Sequence, residues 1–196
     1  MNLVVRRYAA SSVIGLALFV AIGIASSASV PKRKELAAEF LERAKQYLDL
    51  RKKVEGSAPK PNNTPEAITA RQHELGDKLR VARAGARQGE IFTPEISRYF
   101  RHQLKESMEG QKGKQIRRSL RGSEPVNIQL QVNMSYPDNV PLQSTPPSLL
   151  RKLPQLPEGL EYRLLNRELV LRDAEANFIV DYVPDALPDF RKKRND

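Results

Sequence analysis

Two histidines, His73 and His102, are the only side chains here whose ordinary pKa lies near neutrality, and the chain has no cysteine. A nucleophile, a general base or a metal centre would have to be assembled around them. Both fall on expected helices among Arg, Gln and Glu, the setting of a solvated surface histidine. His73-Glu74 has no second histidine four residues on, so the helical zinc-protease spacing fails. Ser119, Ser123 and Ser135 lack the G-x-S-x-G context that exposes a nucleophilic serine at a strand-to-helix turn. Asp138, Asp173, Asp181 and Asp185 could be paired acids or calcium ligands, but no D-x-D-x-D-G loop is present, and acids at strand ends and turns are ordinary. The glycines at 85, 89, 110, 113 and 122 form no strand-loop-helix phosphate cradle. Zero cysteines exclude disulfide scaffolds, thiolate-held zinc or iron–sulfur clusters and thiol catalysis. The expectation is a non-catalytic chain with no cofactor and no metal.

Charge is the stronger signal. The 196 residues carry 33 Lys+Arg against 23 Asp+Glu, a formal net charge of +10. Residues 29–124 hold 22 basic and 13 acidic side chains, and residues 125–196 hold 9 and 10, so the basicity belongs to one half. Within it, Lys112, Lys114, Arg117, Arg118 and Arg121 crowd between Gly110 and Gly122, a stretch read as a short helix or a mobile connector. These five are the candidate anion-contacting patch. An acidic envelope polymer, lipid headgroups or an acidic protein would suit it. Nucleic acid is disfavoured, because no aromatics are interleaved at a binding spacing and the chain looks exported. The competing explanation is that these cations only solubilise helices with a weak core.

The export reading rests on the first residues. Arg6 and Arg7 form a positive start, Val13 to Ala25 is an uninterrupted apolar run, and Ser26-Ser27-Ala28 offers small residues for cleavage after Ala28. The run is short against the roughly 20 residues that span a bilayer core. Residues 1–28 are therefore read as a signal peptide. Its loss removes two charges and leaves +8. The alternatives are an uncleaved anchor extended back through Ala9 and Ala10, or peripheral membrane contact through helix 34–54.

The expected fold class is α+β. Apolar residues at Leu36, Phe40, Ala44, Tyr47, Leu48 and Val54 repeat every three or four positions and predict a helix over 34–54. Gly56 to Asn63 reads as a linker. Thr64-Pro65-Glu66 and Thr93-Pro94-Glu95 are two helix starts, each an N-cap, a proline at the first position and an acid near the positive end of the dipole. They open a helix to about Arg87, with the stripe Ile68, Leu75, Leu79, Ala82 and Ala86, and another through Met108. From Val126 to Met134 apolar and polar residues alternate strictly, which predicts a strand. Six prolines between Pro137 and Pro157 make an extended connection, with a helical turn at Ser148-Leu149-Leu150. Short strands follow at Glu161–Leu165, Glu168–Arg172 and Phe178–Val183, joined by a tight turn at Asn166-Arg167 and a longer one from Asp173 to Asn177. Pro184 and Pro188 are expected to end the order. The layout is thus a basic helical region over 29–122, a small antiparallel β-hairpin or meander module over 123–184, and a flexible tail over 185–196.

Pro154 and Pro157, Tyr162-Arg163, Asn166-Arg167, Leu169 to Asp173 and Ile179-Val180-Asp181 follow one another in an order that carries a family likeness. This run resembles the C-terminal module of the periplasmic nickel/cobalt homeostasis family and related periplasmic families of unassigned function. The resemblance implies a small hairpin module in an exported, non-enzymatic protein. Metal homeostasis is not carried over, because histidine-rich and acidic clusters are absent.

Overall fold

A computed structural model describes residues 30–56, 64–121, 126–136 and 145–189. The signal expected over 1–28, most of the linker 56–63 and the basic end of the tail lie outside the described residues. The fold is α+β: five helices precede a three-stranded antiparallel sheet.

Helix α1 (Val30–Glu55) turns Phe40, Ala44 and Tyr47 into the core, so its stripe is spent on the protein's own interior. Helices α2 (Pro65–Ala82) and α3 (Pro94–Ser107) start as the Thr-Pro-Glu motifs predict. Thr64 Oγ1 accepts from Ala67 N at 3.3 Å and Thr93 Oγ1 from Ile96 N at 3.4 Å. Each such cap is worth about 1 kcal/mol. Ile96, Phe100 and Leu104 line the buried side of α3, and Phe40, Phe92 and Phe100 meet with ring centroids 4.8–5.2 Å apart. Residues 110–121 form helix α4 (Gly110–Arg121), and α5 (Pro147–Leu150) is the expected single turn.

Helix α2 stops at Ala82, short of Arg87. Arg83 leaves the helical conformation at φ −114°, and its guanidinium turns inward to donate to Val180 O at 3.2 Å and Asn133 Oδ1 at 3.0 Å. That inward bond network outweighs one more helical turn. The buried stripe of α2 also differs from expectation: Leu75, Gly76 and Leu79 face inward, while Ile68 and Ala82 are exposed. Gly76 faces the Ala176 carbonyl, with room left for a Cβ at ordinary contact distance.

The sheet runs in the order β1 (Leu160–Leu165), β2 (Glu168–Asp173), β3 (Phe178–Val183). The Asn166-Arg167 turn pairs Leu165 with Glu168, and Asn166 adopts φ 55°, a left-handed conformation that asparagine tolerates. A bulge lies between Leu171 and Arg172. One face of the sheet, with Leu164, Leu169, Leu171, Phe178 and Val180, joins the helices in a single hydrophobic cluster, so the helical and strand halves share one core.

The expected strand at Val126–Met134 does not form. Val126, Ile128, Leu130, Met134 and Tyr136 lie across the second sheet face, over Leu165, Val170 and Ile179. Its end, residues 133–136, meets β3 through one isolated bridge, Ser135 to Phe178, and a few backbone hydrogen bonds. The alternation reports one side turned to the protein, with Val126, Ile128, Leu130 and Met134 half-buried there. That side packs face-on against the sheet, and the chain turns at Asn133, φ 68°, before a ladder can develop. Order also continues beyond Pro184: Ala186 and Leu187 are buried, and Leu187 exchanges hydrogen bonds with Arg167.

Candidate functional site

Buried polar groups are the first place to look for chemistry, because burial without a partner costs several kcal/mol and must have a reason. Asp173 and Asp181 are both fully buried. Asp173 Oδ2 accepts from Tyr47 Oη at 2.8 Å. Its Oδ1 accepts from Arg51 Nη1 at 3.1 Å and from the backbone N–H groups of Glu175 and Ala176. Burial pushes the Tyr47 phenol far above its ordinary range, and the neighbouring Asp173 carboxylate adds to the effect. Arg83 stacks over the Tyr47 ring at 5.1 Å.

Asp181 is held differently, by main chain alone. Its Oδ1 accepts from Gly89 N at 3.0 Å and Tyr182 N at 2.8 Å, and its Oδ2 from Ile91 N and Phe92 N, both at 2.8 Å. Burial raises its pKa above the ordinary aspartate value, against the pull of these four donors. Both carboxylates are consumed by the bonds that fasten α1 and the α2–α3 loop to the sheet. Nothing in their spacing announces this, but an acid inside the apolar run Phe178 to Val183 is itself a sign of a buried, bonded carboxylate.

The histidines stand apart. His73 is exposed and lines a cleft of about 120 Å³ with Thr69 and Ser135, hydroxyl residues, but no carboxylate lines it. His102 is exposed, with Nδ1 3.4 Å from Glu106 Oε1. Glu106 also receives Arg33 and Lys152, which together outweigh its partial burial and hold its carboxyl below the usual range. Asp185 is exposed and pairs with Arg167 at 2.8 Å, and Ser135 accepts from Arg80. Ser123 and Asp138 lie outside the described residues. Among the described residues, no group of three or more His, Asp or Glu side chains could hold a metal ion.

The five candidate cations do not converge. At about 100° per residue, positions 112, 115, 116 and 119 form one stripe of α4, whereas 114, 118 and 121 form another. Lys112, Gln115, Ile116 and Ser119 line a cleft of about 370 Å³, closed on its other side by Pro146, Ser148 and Arg151. Lys114 and Arg118 are exposed on the outward stripe. Arg117 is half-buried and donates to the Met108 carbonyl, satisfying the end of α3. Arg121 ends α4 on its backbone. Sequence reasoning missed Arg151, which the fold brings to the cleft from α5.

Cations on α1 to α3 are partly paired: among the described residues Lys34, Lys45, Lys52, Lys53 and Lys105 contact no carboxylate. Arg33, Arg43, Arg51, Arg71, Lys78, Arg80 and Arg98, on α1 to α3, each contact a carboxylate. Helix α4 contains no acidic residue, and among the described residues no carboxylate contacts Lys112, Lys114, Arg118 or Arg151. A further cleft of about 280 Å³ near Tyr47 contains Arg43 and Arg83, but these are already bound to Glu39 and Glu90. No described helix is long and apolar enough to cross a membrane. No family model, curated protein or solved structure matches the chain.

Proposed function

We propose that this chain is an exported, periplasmic, non-catalytic interaction protein that meets an anionic partner of the cell envelope through the outward face of α4. The observation that carries this reading is α4 itself, a helix with no acidic residue that exposes Lys114 and Arg118, whereas α1, α2 and α3 each intersperse acids among their cations. A field of one sign on a single face attracts a polyanion and does not contribute to folding. Export rests on the expected signal over residues 1–28, and the hairpin resemblance to periplasmic proteins agrees with it. The inward packing of Phe40, Ala44 and Tyr47 favours this reading over membrane contact through the α1 stripe. The absence of a reactive constellation in the sequence favours a binding role over an enzymatic one.

Retention on an immobilised anionic polymer tests it. The protein should elute with added salt, and Lys114→Gln/Arg118→Gln/Arg121→Gln should elute at distinctly lower salt while unfolding at the same temperature. Unchanged elution of the triple variant refutes the face. Fractionation with N-terminal sequencing should yield a soluble product starting at Ser29; a membrane-bound product that retains Met1 refutes the cleaved signal.

A further inference from the structure

We infer that the cleft between α4 and α5 is a binding site for a phosphoryl group carried on a small organic moiety. The inference deepens the anion-binding reading above and rests on it, but concerns a different stripe of the same helix. Lys112 and Arg151 line one cavity from two parts of the chain, and among the described residues no carboxylate lines it. The carboxylate that meets Arg151's chain neighbour Lys152 is Glu106, which Arg33 also contacts. An anion seated between two cations is attracted by both and relieves what mutual repulsion water leaves between them.

The neutral groups narrow its class. Ser119, Ser148 and Gln115 add hydroxyl and amide donors to the three of the ammonium and the five of the guanidinium. A phosphoryl group offers three strong acceptor oxygens against the two of a carboxylate, so it can engage both cations and a hydroxyl at once. The cavity, about 370 Å³, lies in the range of small-molecule sites, so it has room for more than a bare anion. Ile116 and Pro146 give that remaining part an apolar surface. The phosphoryl group could be presented by a soluble phosphomonoester or by a lipid headgroup, and the test separates these.

Glycerol 3-phosphate is titrated into the full-length mature protein by calorimetry, and flotation with phosphatidic acid vesicles is measured against phosphatidylcholine vesicles. Two variants are compared: Lys112→Gln/Arg151→Gln in the cleft and Lys114→Gln/Arg118→Gln on the outward face. Each cleft cation makes a charge-assisted bond, so the cleft variant should weaken binding roughly tenfold or more, with the outward variant near wild type. Saturable glycerol 3-phosphate binding lost in the cleft variant supports a soluble ligand. Flotation lost in the cleft variant, without glycerol 3-phosphate binding, supports a headgroup. If neither probe binds at millimolar concentration, or if only the outward variant loses binding, the cleft assignment is overturned, and in the second case the outward-face reading stands. Circular dichroism of both variants separates loss of binding from loss of fold.

Discussion

Replacing Tyr47 with phenylalanine removes one oxygen atom and leaves the ring in place, so the Arg83 stacking survives and only the bond to Asp173 is lost. That bond is 2.8 Å long and fully enclosed, and no other hydrogen bond to Asp173 Oδ2 is found among the described residues, so the substitution strands a buried carboxylate oxygen. A hydrogen bond to a charged group contributes about 1.5–3 kcal/mol, and the stranded acceptor places the loss toward the upper end. With a urea slope of roughly 2 kcal/mol/M for a domain of this size, the unfolding midpoint should fall by about 1.3 M at neutral pH. The pH dependence supplies a second readout. Burial and Asp173 raise the phenol pKa in the folded protein above its ordinary value of 10.0, so the unfolded chain loses this proton first. Stability contributed by the protonated phenol is therefore complete below pH 10 and declines as pH rises past it. Tyr47→Phe should shallow that alkaline decline. A midpoint within about 0.2 M of wild type, well below the shift expected from one charged hydrogen bond, would refute the view that this bond fastens α1 to the sheet.

Other perturbations probe the remaining contacts. In Asp181→Asn the amide nitrogen faces two backbone N–H groups whichever way it is turned, because each carboxylate oxygen accepts two. The loss should be about 3 kcal/mol or more by urea unfolding, with faster hydrogen exchange at Gly89, Ile91 and Phe92. Gly76→Ala should stabilise the protein by about 0.5–1 kcal/mol in thermal unfolding, since its Cβ would meet the Ala176 carbonyl at an ordinary 3.5 Å. Gly113→Ala should destabilise it, because a Cβ there collides with the Met108 carbonyl.

Where the determinants were local, the sequence revealed the fold. Thr64 and Thr93 cap helices through side chains that reach three residues along, and Asn166 sets the hairpin through its own backbone preference. Val126 to Met134 misled because alternation reports only that one side is buried; whether that side joins a ladder or lies across a sheet depends on residues elsewhere. The basic patch was legible as composition and misread as a unit. Helical rotation divides it, and Arg151 joins Lys112 only through the packing of α5. Asp173 and Asp181 appeared as ordinary turn and strand-end acids, since their principal partners lie 126 and about 90 residues earlier in the chain.

The strip from Val126 to Tyr136 also protects the protein from itself. An unpaired strand edge is a template for other chains, and the outer edge of β3 is occupied where Asn133 N donates to Ile179 O, Ile179 N to Met134 O, and Tyr136 N to Asn177 O. The same strip roofs Leu165, Val170 and Ile179. A cut or deletion within it would expose a bare apolar sheet face and an open edge together, the two ingredients of fibrillar self-association. Residues that form no strand of their own thereby cover both the face and part of the edge of the sheet.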